Sequence, residues 1–238
     1  FYLMEDACHA LGGKYHSSSK NYVGSCKFSD ISIFSFHPVK TITTCEGGMI
    51  TTNNKSLYNK IKIIRNHGMI RKKTNKSSYF WKYKIVYPGY NYRLSDVNCS
   101  IGISQLKRID KIVTARRKIA SSYVKKLNYL KEYITLPKIH TNKSALHLFI
   151  VHFNLKKIKI SRDKIIQYLY KKKIITQVHY IPIFHHPYYN RYSKKNFDNA
   201  NSYYSSCLSL PIYPGLGEKK VKYIYSALKF IINKYKRK

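Results

Sequence analysis

The chain has 238 residues, with 45 Lys+Arg against 10 Asp+Glu, a formal charge of +35, 44% hydrophobic residues and 15% aromatic ones. Enough apolar side chains are present to offset the ordering entropy, which excludes a disordered polyelectrolyte. No uncharged apolar run approaches the ~20 residues of a membrane span.

The charge admits two explanations. Lys, Asn, Ile and Tyr are in excess together, as A/T-rich codons would produce. Alternatively, a basic surface attracts nucleic acid or another polyanion. The basic residues are spread along the chain and never exceed three in a row, as at Lys171-Lys172-Lys173. Five cysteines, Cys8, Cys26, Cys45, Cys99 and Cys207, are odd in number, widely spaced and without a C-x-x-C pair. That pattern is neither a disulfide framework nor a zinc site, and reduced cytoplasmic thiols are expected, with no metal.

In chain order, Phe1–Met4 reads as the end of a buried strand, followed abruptly by Glu5-Asp6. Ile31–Phe36 alternates in a strand-like manner, and Gly48–Thr52 is a second strand candidate. Ser56–Arg65 carries Leu57, Ile61 and Ile64 at helical spacing, with Ser56 near its start. Residues 66–93 are expected to form a loop region. From Ser95 to about residue 130 runs the longest helical stretch, with Ser95 and Asp96 as cap candidates and a break near Arg116. Pro137 ends it. Beyond lie a strand-like segment at Leu146–Leu155, a helix to Lys172 capped by Ser161, and a strand at Ile174–Tyr180. A short helix over Asn196–Ser206 and a C-terminal one over Glu218–Lys234 follow. The pattern is α/β throughout, without an internal repeat.

Three segments draw attention by their order: Glu5-Asp6-Ala7-Cys8-His9-Ala10-Leu11-Gly12, then Phe34-Ser35-Phe36-His37-Pro38-Val39-Lys40, then Glu46-Gly47-Gly48. An acidic residue follows one strand, Ser and Lys follow another, and a glycine pair opens a third. With Asn91-Tyr92-Arg93-Leu94-Ser95-Asp96, Ser104-Gln105-Leu106 and Leu208-Ser209-Leu210-Pro211, the chain resembles the DegT/DnrJ/EryC1/StrS sugar aminotransferases. The resemblance spans essentially the whole chain. His37-Pro38-Val39-Lys40, Ser104-Gln105-Leu106-Lys107 and Gln177-Val178-His179-Tyr180-Ile181-Pro182 look most like one branch of that family. That branch aminates a UDP-linked 4-keto-6-deoxy-N-acetylhexosamine for pseudaminic acid biosynthesis.

The resemblance implies the C-terminal portion of a fold type I transferase dependent on pyridoxal 5'-phosphate (PLP). A partial large domain with a mixed sheet and connecting helices would occupy residues 1–132, and a smaller α/β domain residues 133–238. PLP chemistry needs a lysine amine to hold the cofactor and move protons, and Lys40 is that candidate. Relatives that dehydrate sugars carry His at this place, so Lys40 favours transamination. Asp6 would face the ring nitrogen and keep it protonated. His9 either contacts the ring or is a core histidine. Ser35 would donate to the phosphate, and Asn91 would do so from the opposite subunit of a homodimer with shared active sites; an ordinary turn is the alternative for Asn91. Gln177, His179 and Tyr180 would contact the sugar nucleotide, or serve domain packing. Arg65 and His67 would face a diphosphate or the donor's carboxylate. Gly47-Gly48 allows either a tight backbone passage or a plain turn.

The expected substrates are a UDP-sugar and an amino-acid donor, glutamate by resemblance, with no nucleic acid or membrane partner and a cytoplasmic location. The resemblance also implies that the N-terminal part of the large domain is absent from this chain, so that the polypeptide by itself should bind PLP poorly. Other readings remain open: a different 4-keto- or 3-keto-sugar aminotransferase, a PLP-binding regulator, or a basic polyanion-binding protein without a cofactor.

Overall fold

The computed structural model describes residues 1–16, 21–71, 81–139, 143–192 and 197–237. It divides into two compact units, Phe1–Asp110 and Lys111–Lys238.

In the first unit, β1 (Met4–Asp6) runs parallel to β2 (Ile31–Ser35), and β3 (Gly48–Thr51) runs antiparallel to β2. The sheet is mixed, in the order β1-β2-β3. Alternation on the central strand buries Ser32 and Phe34 and leaves Ile31, Ile33 and Ser35 half-buried. Among the described residues, the buried apolar side chains of this unit are Ala7, Cys26, Phe34, Phe36 and Ile42. Phe1–Met4 departs from the expected buried strand. All four residues are exposed, because β1 is an edge strand and no described element covers its outer residues.

Helix α1 (Lys55–Ile64) is capped by Asn54, which accepts the Leu57 N–H at 3.1 Å, rather than by Ser56. The expected loop at 66–93 contains a short antiparallel pair, β4 (Met69–Ile70) and β5 (Lys84–Ile85). Helix α2 (Asp96–Leu106) starts at the expected cap, Ser95 Oγ accepting the Asn98 N–H at 3.2 Å. The helical stretch breaks at Lys107–Arg108, ahead of α3 (Ile109–Leu127), and not at Arg116. Arg116 lies inside α3, where its buried Nη1 donates to the carbonyls of Leu146, His147 and Ile212 at 3.4, 3.2 and 3.0 Å.

The second unit contains an antiparallel sheet of β6 (Ile134–Thr135), β7 (Phe149–Phe153) and β8 (Cys207–Leu210) in that order. With it go α4 (Arg162–Lys171), capped by Ser161, then α5 (Asp198–Ser206) and α6 (Gly217–Tyr235). The expected start of α5 at Asn196 lies outside the described residues. Tyr123 and Leu127 of α3, Phe149 and Val151 of β7, Ile165 and Leu169 of α4, and Leu228 and Ile232 of α6 meet in one apolar core. The burial of α3 in this core puts the division between units at Asp110, earlier than the 132/133 boundary expected from the sequence. Ile174–Tyr180 forms no strand. It pairs with β8 through a single bridge, Gln177 to Ser209. Among the described residues no helix is long and apolar enough to cross a membrane.

Candidate active site

Parallel pairing brings the C-terminal ends of β1 and β2 to the same edge of the first unit's sheet, the edge where open α/β sheets bind ligands. Asp6 ends β1 and Ser35 ends β2. Asp6 stands opposite Ile33, and side chains two residues apart share a face, so Asp6, Ile33 and Ser35 project to one side. Glu5 and Ser32 project to the other. There, Glu5 Oε2 accepts hydrogen bonds from Ser32 Oγ at 2.6 Å and Tyr15 Oη at 2.7 Å. Burial, then this carboxylate, pushes the Tyr15 hydroxyl up to about 12.

Asp6 is exposed, and its Oδ1 accepts the Cys8 N–H at 3.1 Å. Hydrogen bonds from the Cys8 thiol and amide hold its carboxyl below the usual range. Slight burial opposes them, and the charges of His9 and Lys40 lower it further. Burial, followed by the Asp6 carboxylate, pushes the Cys8 thiol up, while Lys40 draws it down. Asp6, Cys8, His9 and Lys40 therefore form one electrostatic neighbourhood, with Asp6 ionised at neutral pH.

Lys40 leaves a turn in which its N–H donates to the His37 carbonyl at 3.0 Å, and it is half-buried. The loop carrying it is pinned at both ends. The Phe36 N–H donates to the Gly47 carbonyl at 2.9 Å, and the Thr44 N–H to the Phe36 carbonyl at 3.0 Å. Thr43 Oγ1 donates to the Phe36 carbonyl at 2.9 Å and Thr44 Oγ1 to the Glu46 carbonyl at 2.7 Å. Where the loop returns to the sheet, Gly47 has φ +147°, and a Cβ on Gly48 would lie 2.6 Å from the Phe34 carbonyl oxygen. The glycine pair thus serves a tight passage of backbone past backbone.

Asn91 is held elsewhere in the same unit. It bridges Asn66, while the Tyr90 and Tyr92 amides donate to Ile64 and Arg65, each at 2.9 Å. Its hydrogen-bonded neighbours are thus residues 64–66, not Asp6 or Lys40. Arg93 Nη1 donates to Asn66 Oδ1 at 2.8 Å. Asn66, His67, Met69, Arg71 and Arg93 line an open cleft of about 490 Å³, with Arg65 outside its lining. Gln177, His179 and Tyr180 belong to the second unit. Gln177 exchanges both backbone hydrogen bonds with Ser209, His179 Nδ1 shares a 2.7 Å hydrogen bond with Ser209 Oγ, and Tyr180 is exposed.

Contacts of α2 with the lysine loop escaped the sequence reading. Asn98 Nδ2 donates to the Glu46 carbonyl at 3.3 Å, and Gln105 Oε1 accepts the Thr43 N–H at 3.2 Å. Between them, a Cβ on Gly102 would stand 2.8 Å from Thr44 Cγ2. The available signal was the spacing 98, 102, 105 of polar and small residues on one helical face.

The model of the DegT/DnrJ/EryC1/StrS aminotransferase family matches residues 1–229. A UDP-4-amino-4,6-dideoxy-N-acetyl-beta-L-altrosamine transaminase from Campylobacter jejuni is 36% identical over 99% of this chain and 60% of its own length. The structure of a Helicobacter pylori aminotransferase involved in the biosynthesis of pseudoaminic acid superposes with a TM-score of 0.87 at 30% identity. The match covers 99% of this chain and 60% of that one. The PLP form of a putative sugar aminotransferase from Streptococcus pneumoniae has a TM-score of 0.83 at 28% identity, over 98% of this chain and 58% of that one. The chain spans 60% of the length of the curated relatives it matches. The chain belongs to the DegT/DnrJ/EryC1/StrS aminotransferase family.

Proposed function

We propose that this chain serves a PLP-dependent aminotransferase that moves an amino group from glutamate to C4 of a UDP-linked 4-keto-6-deoxy-N-acetylhexosamine. The observation that carries this is the shared neighbourhood of Asp6 and Lys40 at the C-terminal edge of a mixed sheet. The residues present suit the cofactor. An ionised, exposed carboxylate can pair with a protonated ring nitrogen, an amine can meet an aldehyde, and Ser35 offers a hydroxyl on the same face for a phosphate. PLP, when bound, supplies an electrophilic carbon and a ring that withdraws electrons from the carbon bearing the nitrogen.

Around that group Asp6 would hold the proton on the ring nitrogen, and His9, whose charge acts on Asp6, would contact the ring. Lys40 takes a proton from the donor's α-carbon and later delivers one to C4 of the sugar. Glutamate leaves as its 2-oxo acid and the sugar ketone becomes an amine, so no outside oxidant or reductant is needed. Asn91 supports a shared site in a cytoplasmic homodimer. It sits on an exposed segment between the stacked rings of Tyr90 and Tyr92. To Gln177, His179 and Tyr180 we assign contacts with the sugar nucleotide. The likeness to UDP-sugar transaminases supports the substrate.

The test is borohydride reduction of the full-length protein with excess PLP, followed by peptide mapping. Lys40 is expected to carry the label above all other lysines, and Lys40→Ala to remove it. Turnover of the UDP-4-keto-sugar with glutamate then assigns the reaction. Diffuse labelling that ignores Lys40→Ala, together with salt-sensitive binding of polyanions, would support a basic binding protein instead.

A further inference from the structure

Helix α2 touches the lysine loop with one face. Residues 98, 102 and 105 follow the i, i+4, i+7 spacing that lines up side chains along a helix. Asn98 holds the Glu46 carbonyl, Gly102 lets the backbone approach Thr44, and Gln105 Oε1 accepts the Thr43 N–H at 3.2 Å. Thr43 stands three residues beyond Lys40, and its own hydroxyl is already committed to the Phe36 carbonyl at 2.9 Å. The Gln105 amide is therefore a tie from a distant element that lands three residues from the lysine.

α2 also lacks what usually anchors a helix. None of its residues is buried, and Val97, Ile103 and Leu106 are exposed. Its ties to the loop within this unit include two side-chain hydrogen bonds and a close approach at Gly102. A polar tie fixes direction as well as distance, because the donor must point at the acceptor.

We infer that Gln105 is a positioning residue for Lys40. By capturing the Thr43 amide it sets the register of the loop against α2, and with it the place of the Lys40 amine relative to Asp6. The inference rests on Lys40 being the amine that holds PLP, but its first readout does not need the cofactor.

Amide exchange of Thr43 and reductive labelling of Lys40 with excess PLP are measured in the full-length protein as wild type, Gln105→Leu and Gln105→Glu. Gln105→Leu keeps bulk and removes the acceptor; Gln105→Glu keeps an acceptor oxygen. In Gln105→Leu the Thr43 amide is expected to exchange about tenfold faster. Lys40 labelling, taken relative to Lys171–Lys173 in the same sample, falls about ten- to a hundredfold. Both recover in Gln105→Glu. A role in stability alone would shift exchange across α2 and would not be rescued by Gln105→Glu. Gln105→Met, unbranched and of similar length, repeats the comparison should leucine disturb the helix. Unchanged Thr43 exchange overturns the inference, as does faster exchange with Lys40 labelling intact. If wild-type Lys40 takes no label while Thr43 still responds to Gln105→Leu, the aminotransferase reading fails and the positioning role falls with it. The tie itself would stand.

Discussion

In the second unit, Tyr123, Phe149, Leu208, Leu228 and Ile232 are wholly buried in a core that joins three helices and a sheet. The first unit buries few apolar side chains, and hydrogen bonds do much of its holding. Glu5 ties Tyr15 to Ser32, Thr43 and Thr44 fasten the loop to itself, and Gln105 and Asn98 fasten it to α2. A buried large apolar side chain contributes about 1.5–3 kcal/mol, against about 1 kcal/mol for a typical hydrogen bond. The unit bearing the candidate chemistry is thus held by many small, directional terms. Such terms place an amine and a carboxylate with angular accuracy, whereas non-directional apolar packing supplies bulk stability.

Four measurements can break or sharpen this contrast. Phe149→Ala empties a fully buried site and is expected to lower unfolding free energy by about 3–5 kcal/mol, read from denaturant titration; a loss below about 1 kcal/mol would erase the difference. Gly48→Ala forces a methyl against the Phe34 carbonyl and is expected to cost about 1–3 kcal/mol. Because it moves the return of the lysine loop, PLP labelling of Lys40 should fall with it, whereas Phe149→Ala, measured under folding conditions, leaves labelling in place.

Tyr15 tests the polar network through pH. Its folded value of about 12 lies above the ordinary tyrosine range, so the protonated hydroxyl is the stabilising form. Its contribution is complete below pH ~10 and disappears as pH rises towards the folded value. Alkaline denaturation should therefore steepen in this window, and Tyr15→Phe, which costs about 1 kcal/mol at neutral pH, should flatten it. The smallest effect belongs to Glu218 in the second unit. There Lys126 at 2.7 Å, together with Ser122, holds the carboxyl below its usual value. That stability exists above the unfolded value and vanishes as pH falls through the lowered one. With the carboxylate 64% exposed, Glu218→Gln should remove only about 0.3 kcal/mol in acid titration.

Much of this was legible in the sequence where local chemistry decides. Ser95 and Ser161 announce their helices because a hydroxyl at the cap satisfies a free amide. Ile31–Ser35 shows its strand because one of its faces is buried. The break at Lys107–Arg108 was hidden because no Gly or Pro marks it. Gln177 was misjudged as part of a strand because periodicity cannot reveal that only one rung forms with β8. At the site, order along the chain drew attention to Asp6, Ser35 and Lys40. The common face of Asp6 and Ser35 depends on which strands pair and in what register, and the spacing 98, 102, 105 marks a face of α2 without showing that its partner lies some sixty residues away.

Two carboxylates stand side by side at residues 5 and 6, chemically almost alike, and pleating alone sends them to opposite sides. Sliding β1 by a single position would trade their destinations, handing the longer glutamate to the face shared with Ser35 and pressing aspartate against Tyr15 and Ser32. The shorter side chain would reach those hydroxyls less well, so the two bonds to Glu5 act as a lock against that slip, and a residue outside the candidate site decides which acid shares a face with Ser35.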